Sequence, residues 1–472
     1  MARADNSDYD LLIIGTGGAG TAAAIRGAEL GARVAIAEGA VVGGTCVNVG
    51  CIPSKLLLEA AAQFHAARTS FPGLAREASG AWRRAQASKG AVVERLRQEK
   101  YLDVLAGYEG VTLLRGEATL LGAGRARVGE AVVGARRVVL ATGAAPALPP
   151  IPGLAEAGAL TSTSAMELAA LPASLIVLGA GAVGLELGQA FARFGVRVSV
   201  LEAEAHLLPG EDPELSRALA DALVAEGLEL RPGARVTRVE RGPAGYRLEV
   251  EQDGKSETLP AEQLLVAAGR RPNTAGLGLE GAGVEVDARG FVRVDGFMRT
   301  SNPGVFAAGD VTGAPQFVYL AAAAGRVAAE AALADLTGAP SVPLDASVVP
   351  RVTFTDPQLA AVGLTEAQAR AAGHAVQVAT LPAAAIPRAA VTGSDRGLIK
   401  LVADVAGGRL LGAHLLTANA GDVIGEATLA LRFGLTSADL ASTLHPYLTW
   451  AEGVKLAAQA FTQDVTRLSC CA

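Results

Sequence analysis

Hydrophobic and polar positions along the chain repeat one arrangement twice. From Tyr9 to Glu38 the apolar run LLIIG opens into GTGGAG, an alanine-rich stretch follows, and RVAIAE closes the segment on an acid. From Ser174 to Glu202, LIVLGAGAVG, a helical stretch and RVSVLE do the same. A short apolar run ended by glycine reads as a buried strand, and the longer run behind the glycines as a helix. Each segment is therefore predicted as strand, tight turn, helix and strand. Three further apolar runs end in small residues, VVLATG (138–143), LLVAAGRRPN (264–273) and VFAAGD (305–310), and are expected as strands returning to the same places. Beyond Pro343 the glycine motifs stop. Strand-like LIKLVAD and LLGAHLL then alternate with helical GEATLALRFG and EGVKLAAQAF, which predicts a separate α+β domain.

The glycines share a physical purpose. Gly15, Gly17 and Gly20 in the first turn, and Gly179, Gly181 and Gly184 in the second, permit a tight turn, let backbone approach a pyrophosphate and let helix pack on strand. The helix N-terminus then favours the anion. Two copies, each closing on an acid (Glu38 and Glu202), predict two dinucleotide-binding folds. The expected fold class is α/β, with two Rossmann-like domains and a C-terminal α+β domain. Boundaries are expected at 1–147, 148–270, 271–343 and 344–472, the first and third pieces forming one domain.

Composition narrows the partners. The 472 residues carry a net charge of −6, which offers no basic surface for nucleic acid or anionic lipid and favours a small-molecule partner. The most apolar stretch, from Leu175 to Phe191, contains Glu186 and four glycines, so no membrane span is expected. The N-terminus MARADNSDYD is polar and acidic, unlike a signal peptide, and a cytoplasmic location is expected.

Four cysteines occur in two close pairs, Cys46 with Cys51 and Cys470 with Cys471. In a reducing compartment such pairs are more often catalytic or metal-binding than structural. GGTCVNVGCIPSK places Cys51 at the start of a segment that reads as a helix, with Pro53 near its first position and Lys55 one turn on. Helix dipole and lysine both favour a thiolate there. Zinc lacks nearby cysteine or histidine partners.

Two nucleotide folds with GGTCVNVGCIPSK resemble the flavoprotein disulfide reductases, the group that includes glutathione reductase, lipoamide dehydrogenase and mercuric reductase, over nearly the whole chain. The resemblance implies that the first fold binds FAD and the second NADH or NADPH, and that the C-terminal domain forms a homodimer whose subunits share the active site. It makes Cys51 the flavin-proximal, charge-transfer thiolate and Cys46 the exchanging thiol. Lys55 and Glu186 match an ion pair beside flavin N5, Asp310 the acid on the ribityl chain, and Glu38 the acid on the adenosine ribose. Gly44, Thr45, Thr142, Gly143 and Gly269 fall in the segments that would line the cofactors.

What is reduced is read from the C-terminus. Ordinary members carry a His-Pro-Thr base with a glutamate five residues later, whereas HPYLTWAE puts Tyr447, not His445, five before Glu452. A phenol with a pKa of about 10 is a poor base at neutral pH, so ordinary disulfide exchange is not expected. The PYLT tyrosine together with vicinal C-terminal cysteines resembles the mercuric reductases. That likeness implies that Cys470 and Cys471 collect thiol-bound Hg(II) and pass it to Cys46 and Cys51 of the partner subunit for reduction to Hg(0). A soft dication prefers thiolates to other ligands. Tyr319, in QFVYLAAAAG, matches a tyrosine lining that metal site. The chain begins at the flavin fold, so delivery is expected to rely on the tail or on small thiols. Glu202 suits a ribose 2′-OH and Gly184 completes the NAD-type turn, which favours NADH over NADPH, Arg193 and Arg197 being the nearest basic residues. Two alternatives stand: His445 swings in as base, giving a lipoamide dehydrogenase-like disulfide reductase, or the chain holds soft metal without turnover.

Overall fold

The computed structural model describes residues 8–70, 77–122, 124–338 and 340–464. The chain divides into two compact units, one of Met1–Leu57, Arg84–Ala147 and Gly269–Ala346, the other of Leu58–Arg83, Leu148–Ala268 and Ser347–Ala472.

In the first unit the strand Tyr9–Ile14 lies between Val34–Glu38 and Ala131–Leu140, parallel to both. Val111–Arg115 and Val305–Ala307 extend the parallel sheet on either side. Its central strand is apolar throughout because both faces are covered. Leu11 and Ile13 pack toward the helices Gly18–Glu29 and Val318–Thr337, while Leu12 and Ile14 join a second core with Ala126, Leu140 and Val292. Alanine makes the helix contact close: Ala19, Ala23, Ala24, Ala324, Ala328 and Ala332 fill it. A Cβ on Gly325 would collide with the Ala19 carbonyl oxygen.

The second unit repeats the plan. Its parallel sheet runs Glu229–Pro232, Arg197–Glu202, Ser174–Leu178, Gln263–Val266, beside a three-stranded meander over Arg235–Gly242, Gly245–Gln252 and Lys255–Ala261. A five-stranded antiparallel sheet follows, in the order Arg351–Thr353, Gln358–Gly363, Leu410–Thr417, Leu398–Asp404, Val376–Pro382. Helices Ala420–Phe433 and Glu452–Gln459 cover it through Val423, Ile424, Val454 and Ala457. The fold is thus α/β, two Rossmann-like folds with a C-terminal α+β domain. Charged contacts bind that domain to the second Rossmann fold. Lys400, its side chain 8% exposed, meets Asp212 at 3.0 Å and Glu214 and Glu366 at 3.3 Å. Arg351 grips Glu211 through two nitrogens at 2.6 and 2.9 Å.

The helix Cys51–Ser70 begins in the first unit and ends in the second. There Phe64 stacks on Phe194 at 5.6 Å, and Trp82 packs edge-on against Phe194 while donating Nε1–H to the Leu168 carbonyl at 2.9 Å. Among the described residues no helix is long and apolar enough to cross a membrane.

Candidate active site

Each glycine turn is shaped by what its Cα approaches. Gly15 has φ +107°, and a Cβ there would strike the Ala141 carbonyl; Gly179, at φ +106°, stands in the same relation to Ala267. Cβ atoms on Gly20 and Gly184 would enter the carbonyl oxygens of Gly15 and Gly179, which is why helix and strand meet so closely. Gly143, Gly181 and Gly269 face open space. Crowded from behind, and at the second turn open in front of Gly181, both turns fit a dinucleotide lying along the backbone.

The closing acids brace these turns. Glu38 Oε2 accepts from the Thr16 amide at 3.2 Å and from the Thr16 hydroxyl, and Oε1 accepts from the Ala40 amide at 2.9 Å. Glu202 Oε2 accepts from the Ala180 amide at 2.7 Å, and Oε1 from the Glu204 amide at 3.0 Å. Thr16 escaped the sequence analysis. Its fully buried hydroxyl also accepts from the Gly43 amide at 3.1 Å, joining the first turn to the cysteine segment. The available signal was a threonine in GTGGAG where the second copy has Ala180.

The opposite wall is built from the returning strands. Thr142 donates its hydroxyl to the Asn273 carbonyl at 2.8 Å, and Asn273 returns bonds to Thr142 O (2.9 Å) and Gly143 O (3.0 Å). Arg270 bonds the Ala144 carbonyl and lies 3.8 Å from Asp310, while its buried Nε–H has no partner among the described residues. Burial raises the Asp310 carboxyl and the Arg270 charge opposes this. An orphaned guanidinium N–H beside a half-buried carboxylate suits a polyhydroxylated, anionic cofactor such as FAD.

The cysteines sit against the same turn. Cys46 lies in a short helix, Gly44–Val49, and Cys51 opens the next, Cys51–Ser70, so Pro53 is its third residue. Gly44 abuts Gly17 so closely that a Cβ would come within 2.6 Å of the Gly17 Cα. Thr45, next to it, is exposed. Neither Cys46, partly buried, nor Cys51, exposed, is in a disulfide. Hydrogen bonding to Cys51, then burial, push the Cys46 thiol far up, and Lys55 pulls weakly the other way. Cys51 stands at a helix N-terminus, a setting that favours a thiolate.

Tyr101 was missed altogether. It lies in a π-helical turn, Gln98–Leu102, at the end of the helix Ala78–Arg97, and burial and then the charges of Cys46 and Cys51 raise its hydroxyl. Nothing local in the sequence marks a tyrosine so far along the chain as a neighbour of the pair.

Other candidates are scattered. Lys55 lies one turn past Cys51 in the first unit; Glu186, buried in the second, accepts from the Phe354 amide at 2.9 Å. Tyr319, at the start of Val318–Thr337, stacks on Phe317 with centroids 5.4 Å apart. Tyr447 is 54% exposed, on a turn where Leu448 has φ +67°. His445 is held elsewhere: Nε2 lies 2.8 Å from Glu426 Oε1 and Nδ1 3.0 Å from the Thr443 carbonyl, its side chain only 5% exposed. Glu452 is buried, and its Oε2 has no partner among the described residues. Cys470 and Cys471 lie outside the described residues. Among those described, no three His, Cys, Asp or Glu side chains group to hold a metal.

Comparison with known proteins agrees with this geometry. Residues 9–325 match the family model for pyridine nucleotide-disulphide oxidoreductases, and residues 349–458 match that family's dimerisation domain. A mercuric reductase of Streptomyces lividans is 46% identical, covering 99% of either chain. A dihydrolipoyl dehydrogenase of Thermus scotoductus is 42% identical over 98% of this chain and 99% of its own. Among solved structures, the HOCl-induced flavoprotein disulfide reductase RclA from Escherichia coli superposes with a TM-score of 0.85 at 33% identity, covering 96% of this chain and 99% of that one. Two braced glycine turns, a dithiol packed on the first of them and these matches lead to one assignment: the chain belongs to the pyridine nucleotide-disulphide oxidoreductase family, whose members use FAD and NAD(P)H.

Proposed function

We propose that this enzyme reduces thiol-bound Hg(II) to Hg(0) at the Cys46–Cys51 pair. The observation that carries the reading is the Cys46–Cys51 pair with an exposed Cys51, beside the finding that His445, the rival base, has both ring nitrogens engaged. FAD would lie along Gly15, Gly17 and Gly20, between Glu38 and Asp310, and NADH along Gly179, Gly181 and Gly184; together they supply two electrons to the pair.

The protein's own groups do the rest. The Cys51 thiolate attacks the metal and displaces one external thiolate. That thiolate takes the proton from Cys46, whose sulfur then displaces the second ligand. Hg(II) is left on two protein sulfurs, two electrons release Hg(0), which thiolates hold poorly, and the proton released by oxidation of the nicotinamide returns to Cys46 to restore the pair. In this reading Lys55 and Glu186 each act at the flavin, Tyr319 and Tyr447 each act on the metal, and Cys470 and Cys471 deliver Hg(II) to the partner subunit. Glu202 favours NADH over NADPH, and a close cysteine pair of this kind suits a reducing, cytoplasmic setting.

The test is NAD(P)H oxidation by purified enzyme in excess thiol, with and without Hg(II), alongside lipoamide and glutathione disulfide. Oxidation that requires Hg(II) is the expected result. Rapid turnover of lipoamide without Hg(II) would instead favour disulfide reduction, for which the buried Glu452 and the Thermus relative speak. Bound flavin with no metal-stimulated oxidation would leave only metal storage.

A further inference from the structure

The helix that carries Cys46, Gly44–Val49, is six residues long, too short to hold itself by its own hydrogen bonds. Its N-cap is Gly43, which has no side chain to cap it, so other contacts must fix the segment. Asn48 supplies one, its side-chain amide donating to Val42 O at 3.0 Å and Gly44 O at 2.9 Å, while Arg97 Nε–H holds Asn48 Oδ1 at 2.7 Å. Thr16 supplies another. Fully buried, it accepts from the Gly43 amide at 3.1 Å through the same hydroxyl that donates to Glu38 Oε2. A threonine hydroxyl has one proton to give. Here it goes to the acid, which leaves the oxygen to receive Gly43, so acid, threonine and redox segment form one chain of hydrogen bonds.

The second fold lacks this link. Ala180 and Leu185 stand there in the places of Thr16 and Thr21, and Glu202 braces its turn through the Ala180 and Glu204 amides. Both hydroxyls belong to the turn against which the cysteine segment packs, Thr21 donating to the Thr16 carbonyl at 2.9 Å. Of the ~4 acceptor positions on the Glu38 carboxylate, Thr16 takes two and Ala40 one, which leaves one on Oε1 among the described residues. A ribose hydroxyl donating there would fix the carboxylate, and Thr16 would carry that constraint to Gly43.

We propose that Thr16 is a positioning residue that ties the redox segment to the flavin-binding acid, so that flavin seated at Glu38 steadies the helix of Cys46. The proposal rests on the reading of the first turn as the flavin site and of the cysteine pair as the reducing centre.

The experiment is hydrogen exchange on flavin-loaded enzyme, followed by mass spectrometry in peptides covering residues 41–50, with the rate of FAD release on dilution as a second readout. Thr16→Val keeps the shape, removes the hydroxyl and leaves the buried Gly43 amide unmet. It should speed exchange in that segment about tenfold and FAD release by a similar factor. Thr16→Ser, which keeps the hydroxyl, should recover most of both. Exchange around the second turn, residues 178–186, should match the parent throughout. Glu38→Ala, with FAD in excess, should also loosen residues 41–50, and combined with Thr16→Val should loosen them no further, since the link is already cut. Should Thr16→Val fail to hold flavin, Thr16→Ala, which copies the second fold, replaces it. In turnover with Hg(II), Thr16→Val should lower kcat severalfold and leave the KM for NADH within about twofold. A role confined to the stability of the turn would speed FAD release with exchange at 41–50 unchanged, and that result overturns the proposal. Additive loosening in the double variant, or a Thr16→Ser enzyme no better than Thr16→Val, overturns it too. A parent that oxidises NADH without needing Hg(II) defeats the reading of the substrate instead, and the exchange result still decides the link.

Discussion

Glu202 shows how one side chain serves a local and a chemical purpose together. Its carboxylate braces the second glycine turn through the Ala180 and Glu204 amides, and it stands where a ribose hydroxyl would arrive. Glu202→Arg should therefore shift the ratio of kcat/KM values toward NADPH, because a cation replaces an anion at the 2′ position, while also loosening the turn. A parent that already prefers NADPH would defeat the premise. At the redox pair, Cys51→Ala should abolish both the long-wavelength absorbance and Hg(II) turnover while leaving flavin bound, and retained turnover would exclude its role. His414 makes a third case. It is fully buried, with Nε2 3.0 Å from the Leu364 carbonyl and Nδ1 without a partner among the described residues, and burial depresses its pKa. The unfolded chain then binds a proton that the folded chain refuses. This contribution to stability is complete above the unfolded value of 6.5 and is lost as pH falls below it. The slope is at most about 1.4 kcal/mol per pH unit. Denaturation midpoints of the parent and His414→Gln between pH 7 and 5 should converge if this is right; parallel curves would contradict it.

At the scale of elements, each glycine turn divides its glycines into two kinds. Gly184 is packed against its own strand, whereas Gly181 faces open space and has φ −75°, which any residue adopts. Gly184→Ala should lower thermal stability and weaken NADH binding together. Gly181→Ala should change folding stability by less than ~0.5 kcal/mol yet raise the KM for NADH, because its methyl enters only the space the pyrophosphate would take. A Gly181→Ala enzyme with an unchanged KM would mean that the dinucleotide does not cross this turn. The strands, the turns and both helices behind them were legible from apolar runs closed by glycine. The short helix under Cys46 was not, since six residues give too little periodicity, and the π turn at Tyr101 was not, since nothing in QEKYL distinguishes it from α-helix.

At the scale of the whole molecule, charge inside the second unit connects elements far apart in sequence. Burial alone would lower the Lys400 pKa, but Asp212, and then Glu214, raise it. Lys400→Met would leave the buried Asp212 carboxylate without its cation, for a loss of ~3 kcal/mol in folding stability, with little change where Lys400→Arg keeps the charge. Equal melting temperatures for Lys400→Met and parent would show the contact to be dispensable. The sequence by itself determined the two dinucleotide folds, the acids that close them and the cysteine pair, because each depends on residues within a few turns of one another. Only the tertiary structure decided that Thr16 links Glu38 to Gly43, that Asn273 closes on Thr142, and that His445 is held by Glu426. These are meetings between side chains separated by long stretches of chain. No local spacing encodes them; they follow from the packing of sheets and helices, which places distant residues within hydrogen-bonding reach.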